Sequence, residues 1–142
     1  MATVEFDFAA FVEGVEQPGI LLVDFWAEWC GPCRQFGPVF EAASEANSDA
    51  VFAKVDTEAN QDLANALQIT SIPTLMIFRD GINLYSRAGA MPGPALDELI
   101  SAVRNLDMDD VRAQIAAEAA ANTEEKEVKE WSGKVVKGVP SL

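Results

Sequence analysis

Residues 20–34 read ILLVDFWAEWCGPCR. The first seven form an apolar, β-leaning run of the kind found in a central strand buried on both faces. One charge, Asp24, interrupts it. A helix is expected from about Gly31, with Pro32 tolerated in its first turn because the N–H it lacks has no helical partner there. That helix should run toward Asn47, bent by Pro38, which removes a donor and crowds the preceding turn. Cys30 and Cys33, the two cysteines of the chain, fall where strand gives way to helix.

On either side of this block, strands and helices alternate to about residue 106. TVEF (3–6) is a short strand, and Asp7 caps a helix over 8–16, where Phe8, Phe11, Val12 and Val15 recur at helical spacing. QPG (17–19) is a break. VFAKV (51–55) is a second buried strand, and EANQDLANAL (58–67) a short helix. TLMIFRD and INLYSR flank Asp80-Gly81, a strong hairpin signal. MPGPALDELISAVRNL (91–106) closes the series with a helix whose apolar stripe is Leu96, Leu99, Ile100 and Val103. The order β-α-β-α-β-α-β-β-α implies an α/β fold, a mixed sheet with helices on both faces. The first three strands should be parallel and the final hairpin antiparallel.

Composition changes after Leu106. Residues 107–121 are alanine-rich and helix-prone, with acidic residues at the N-terminal end where they suit the helix dipole. Residues 122–142 are charged and punctuated by Gly and Pro, and are expected to be a mobile tail. The chain thus divides into a domain over 1–106 and an extension over 107–142.

Bulk chemistry excludes several functions. The chain carries 10 Lys+Arg against 23 Asp+Glu, a net charge of −13, so it should repel nucleic acid and anionic membranes. Histidine is absent, which removes Ser-His-Asp and Cys-His catalysis and imidazole-ligated zinc. A single C-x-x-C supplies only half of a structural zinc site, so no metal is expected. The opening MATVEFDFAA lacks the basic and apolar regions of a secretory signal, and apolar runs such as ILLV (20–23) are too short to span a bilayer. A soluble cytoplasmic protein is expected.

Two thiols three apart make a poor staple. Closing so short a loop removes only about 2 kcal/mol of unfolded-chain entropy, and a reducing cytoplasm would leave the bond open. Reactivity explains them better. Cys30, at the helix N-terminus, has its thiolate stabilised by unpaired N–H groups and the dipole. Cys33, a turn further in, should be less exposed and closer to an ordinary thiol. The Cys30 thiolate can attack a substrate disulfide, and Cys33 can then attack the Cys30 sulfur and release the reduced substrate. Asp24, buried in its strand, should have a raised pKa and could serve as the base that deprotonates Cys33, with Lys54 as the partner of its charged form. A purely structural Asp24–Lys54 ion pair is the alternative.

LLVDFWAEWCGPCR closely resembles the active-site block of the thioredoxin family. AKVDTEAN, ITSIPTLMIFRDG and RAGAMPGPAL follow in the family's order, so the likeness covers roughly 2–106. The resemblance implies the thioredoxin fold and a protein-disulfide reductase. Cys30 would attack, Cys33 would resolve, and Asp24 and Lys54 would be the buried acid/base pair. Ile72-Pro73 would be a cis peptide beside the disulfide. Trp29, Gly31, Pro32, Ile72, Pro73 and Gly89 would border the substrate surface. No bound cofactor is implied, because the dithiol is the redox group. Its electrons would come from NADPH through thioredoxin reductase, and its substrates would be disulfide-containing proteins met as a monomer. Arg34, where lysine is commoner, and Gly37 are mild departures.

The sequence is also compatible with a second class of function, a binding or holdase module working through the apolar surface of Trp29, Ile72 and Pro73. The extension is either a solvated helix with a loose terminus or a docking segment anchored by Trp131, Val135 and Val136.

Overall fold

The computed structural model describes the backbone of residues 2–131 and the side chains of residues 2–121. Backbone contacts divide the chain into two units, Met1–Arg104 and Asn105–Leu142.

The first unit runs β1 (Thr3–Glu5), α1 (Phe8–Val15), β2 (Ile20–Trp26), α2 (Gly31–Ala46), β3 (Val51–Asp56), α3 (Gln61–Ala66), β4 (Thr74–Arg79), β5 (Ile82–Ala88) and α4 (Gly93–Arg104). The expected caps and turns are present. Asp7 accepts the Ala10 N–H at 2.8 Å and starts α1. Asp80 and Gly81 both take positive φ, 53° and 84°, as a two-residue hairpin requires. α3 begins later than its sequence suggests, because the Asp56 carboxylate binds the N–H groups of Glu58 (2.9 Å) and Ala59 (3.4 Å) and holds them in a turn.

The five strands form one mixed sheet in the order β1-β3-β2-β4-β5. β1 and β2 both pair parallel with β3, while β4 runs antiparallel to β2 and to β5. β2 is therefore central, which explains its continuous apolar sequence. Side chains alternate between the two faces. Leu22, Phe52, Leu75 and Ile77 pack with Phe36 and Phe40 of α2 and with Leu96, Ile100 and Val103 of α4. Leu21, Val23, Phe25, Ala53, Val55, Met76 and Phe78 face the other way, against Phe11 of α1 and Leu63 of α3. Phe25, Phe36, Phe40 and Phe52 are fully buried, and each such burial is worth about 2 kcal/mol relative to exposure. Pro38 lies inside α2 and leaves the Arg34 carbonyl without its usual helical donor.

The second unit holds α5 (Met108–Trp131). Asp107 caps it, its carboxylate accepting from the N–H groups of Asp109 (3.0 Å) and Asp110 (3.3 Å). The helix continues past residue 121, the end expected from composition. Glu and Lys make up most of the continuation, and both favour helix. Of the expected docking anchors, Val135 and Val136 lie outside the described residues, as does the side chain of Trp131.

Candidate active site

The site lies where β2 ends and α2 begins. After Trp26 the chain turns, with the Cys30 N–H on the Ala27 carbonyl at 3.2 Å. The Arg34 guanidinium donates to the Glu28 carbonyl through Nε (3.2 Å) and Nη2 (3.0 Å), tying the loop to the first turn of α2. Cys30 is the N-cap of α2, and its sulfur accepts the backbone N–H of Cys33 at 3.2 Å. Cys30 and Cys33 are joined as a disulfide with their Cα atoms 5.2 Å apart. Gly31 and Pro32 are exposed, and a Cβ on Gly31 would meet nothing within 4 Å. No packing demand within the chain therefore explains the small residue.

One expectation is corrected. Cys33 is no better buried than Cys30; the two are 5% and 4% exposed. Ala27, Trp26 and Ile72 pack in one cluster with the two cysteines, and the Ile72 carbonyl lies against Cys30. The cysteines differ in their place on the helix rather than in residue burial. Cys30 has the cap position and the donor; Cys33 has neither.

The segment before β4 supplies the opposite wall. The Ile72–Pro73 peptide is cis. The Ile72 carbonyl oxygen lies 3.6 Å from Cys30 Sγ. Gly89, at φ 114°, donates its N–H to the Pro73 carbonyl at 2.7 Å. That φ lies in the region glycine tolerates without cost. Trp29 stands 65% exposed beside the disulfide, its Nε1–H on the Glu58 carboxylate at 3.2 Å. Between Trp29, Ile72, Ile69 and α3 runs an open groove of about 260 Å³. Trp29, Gly31 and Pro32 thus flank the cysteines in the chain, Ile72 packs against them across the site, and Pro73 and Gly89 are tied to one another behind Ile72. Glu58 belongs to the same rim; its sequence marks it only as the start of a helix, and no spacing signal sets it apart.

On β2, the strand that leads into the cysteine loop, Asp24 is fully buried, and neither carboxylate oxygen has a hydrogen-bond partner. Burial pushes its carboxyl up to about 7, against an opposing pull from the Lys54 charge. Asp24 and Lys54 are register partners on adjacent parallel strands. The expected partnership takes an indirect form, however. The Lys54 ammonium sits 4.7 Å above the centre of the Trp26 ring and acts on Asp24 through space. Trp26 shares the sheet face of Asp24, two residues along the strand, and that parity could have singled it out.

A dithiol at a helix N-terminus, walled by a cis-proline loop, with a buried carboxyl on the strand that leads into it, defines a thiol–disulfide oxidoreductase on a thioredoxin fold. The chain belongs to the thioredoxin family, whose model matches residues 2–105. It is 52% identical over 119 residues to a putative thioredoxin 2 of Streptomyces coelicolor, a match covering 84% of this chain and 89% of that protein. It is 41% identical over 111 residues to a thioredoxin of Mycobacterium bovis, covering 75% of this chain and 94% of the relative. Among solved structures, Plasmodium falciparum thioredoxin superimposes with a TM-score of 0.63 at 33% identity, covering 70% of this chain and 96% of the other. Thioredoxin from Malassezia sympodialis does so at 0.64 and 30%, covering 71% and 92%. The chain is accordingly a protein-disulfide oxidoreductase whose redox group is the Cys30–Cys33 pair. No group of residues suited to a metal ion, and no helix long and apolar enough to cross a membrane, occurs among the described residues.

Proposed function

We propose that the chain reduces protein disulfides with Cys30 attacking and Cys33 resolving. The observation that carries this assignment is the cap geometry, in which Cys30 alone receives a helix-terminal N–H on its sulfur. A thiolate there is stabilised by the donor and the dipole.

In the reduced protein, the Cys30 thiolate attacks one sulfur of a substrate disulfide. A Cys30–substrate disulfide forms and the other substrate sulfur leaves as a thiolate. Asp24 takes the proton of Cys33. The Cys33 thiolate attacks Cys30 Sγ, closing the intramolecular disulfide and expelling the second substrate thiolate, which receives a proton from Asp24 or solvent. Two electrons have passed to the substrate. An NADPH-dependent thioredoxin reductase returns them. A carboxyl near neutral pKa suits this exchange, since it can hold or release the proton at working pH.

Trp29, Gly31, Pro32, Ile72, Pro73 and Gly89 form the docking surface. The Ile72 backbone pairs with an extended substrate segment, and the bare Gly31 gives that segment room. Lys54 tunes Asp24. Residues 1–106 act as the catalytic domain and 107–142 as an appendage, in a monomeric cytoplasmic protein that avoids nucleic acid and membranes because of its charge.

The test is trapping. Cys33→Ser, incubated with a disulfide-containing protein, should accumulate an adduct that peptide mapping places on Cys30. Cys30→Ser should accumulate none. An adduct on Cys33 would reverse the assignment.

A further inference from the structure

The proposed role of Asp24 as proton carrier, on which this inference rests, leaves the position of the Lys54 ammonium unexplained. Lys54 stands beside Asp24 in the parallel ladder, and register partners on adjacent parallel strands project to the same side of a sheet. A buried carboxyl next to a lysine would ordinarily take its ammonium as a hydrogen-bonded partner. Both Asp24 oxygens are instead buried and unpartnered. The ammonium rests 4.7 Å from the centre of the Trp26 ring, within cation–π range. Trp26 itself is half-buried, with its Nε1 buried and without a hydrogen-bond partner. The ring is thus kept in place without satisfying its own polar atom. It also packs against the cluster of Ala27, Cys30 and Cys33.

We propose that Trp26 is a positioning residue, whose ring holds the Lys54 ammonium off the Asp24 carboxylate and so leaves that carboxylate free for the Cys33 proton. The other groups on this face give no competing explanation. β4 presents Leu75 and Ile77, α2 presents Phe36 and the disulfide, and α4 presents Leu96 and Ile100. Asp56, the register partner of Trp26, is engaged by the N–H groups of Glu58 and Ala59. Lys54 is the charge that acts on Asp24. A direct ion pair would hold the carboxylate ionised, with less affinity for a proton. Parking the charge on an aromatic face keeps the field and withholds the hydrogen bond.

The experiment titrates the Asp24 carboxyl by carbon NMR in the oxidised full-length protein, in which the cysteines do not titrate. Trp26→Leu frees the ammonium to reach Asp24, and the midpoint should fall by about one pH unit. Trp26→Phe keeps an aromatic face and should restore most of the wild-type value. Lys54→Met should raise the midpoint, and adding Trp26→Leu to it should change nothing further. An unmoved or raised midpoint in Trp26→Leu would overturn the proposal. So would the same fall in the Lys54→Met background, which would show that the ring merely excludes solvent. If Trp26→Leu does not fold, the cycle is run with Trp26→Met, which keeps more of the side-chain volume and removes the aromatic face, and Lys54→Met; the Trp26→Met midpoint should fall with lysine at position 54 and not with methionine there. A Trp26→Met midpoint that does not fall, or falls as far with methionine at position 54 as with lysine, then counts against it. The titration reads Asp24 directly, so its outcome is separate from the outcome of the Asp24→Asn test of the proton-carrier role.

Discussion

The sulfur of Cys30 lies 3.6 Å from the carbonyl oxygen of Ile72, although 42 residues separate them in the chain. That contact joins the head of α2 to the segment leading into β4. A substrate strand laid along Ile72 would bring its sulfur to Cys30, so binding and attack share one wall. It also explains why the disulfide is so little exposed while Trp29 beside it is so open. The landing surface is the rim, and the reacting atoms sit just under it.

The first prediction concerns the proton. Asp24→Asn should slow resolution of the Cys30 mixed disulfide by about 100-fold near neutral pH, the lower end of the usual loss when a general base is removed. The variant's resolution rate should follow the Cys33 thiol alone, rising at alkaline pH without an inflection near 7. Rapid-quench measurement of substrate release across pH 6–9 checks this. An unchanged rate and profile would remove Asp24 from the mechanism.

The same carboxyl makes stability depend on pH. Its folded pKa of about 7 lies above the reference of 3.8, so the folded state favours the protonated form. The stabilisation is complete below about pH 4 and is lost as pH rises through about 7. The full span is worth on the order of 4 kcal/mol. Asp24→Asn lacks this term. It should match wild type in acid and exceed it by a few kcal/mol above about pH 8, as read by urea unfolding of the oxidised proteins.

Glu58 should matter to binding more than to folding. Glu58→Ala releases the Trp29 indole from its 3.2 Å hydrogen bond. Because the pair is exposed, the stability change should stay within about 1 kcal/mol. Substrate KM should rise by a few-fold, on the order of 1 kcal/mol of lost positioning, with kcat nearly unchanged. Steady-state kinetics with a protein disulfide would show it; a fall in kcat alone would contradict it.

Phe40 tests the frame. It is fully buried, with its ring 5.8 Å from that of Phe36 and 5.2 Å from that of Phe52, bridging α2 to β3. Phe40→Ala should cost about 3–5 kcal/mol, the usual loss for such a core truncation. Denaturant unfolding measures this directly. A loss under about 1 kcal/mol would mean that the core repacks around the cavity.

Local chemistry made much of this protein legible before its structure. The β2–α2 block, the Asp7 cap and the Asp80-Gly81 hairpin are written in contiguous residues, and each appears where expected. Strand order is another matter. β3 inserts between β1 and β2, a pairing between distant segments that no local pattern encodes. At the site, family resemblance brought Ile72, Pro73 and Gly89 forward, since nothing in their own spacing links them to the cysteines. The destination of the Lys54 side chain was not legible, because a flexible four-carbon stem can reach either carboxylate or ring. Nor was the near-equal burial of Cys30 and Cys33, which depends on a sequence-distant loop, the one carrying Ile72, closing over the cap.

The claim that the pair serves as a reductant is tested most directly by equilibrating the full-length protein in glutathione redox buffers and quantifying free Cys30 and Cys33 by alkylation. A thioredoxin-type reductant should remain oxidised where glutathione is mostly reduced, yielding its disulfide only to a stronger dithiol or to an NADPH-dependent reductase. A pair that glutathione readily reduces would be an oxidant instead, and would contradict the account.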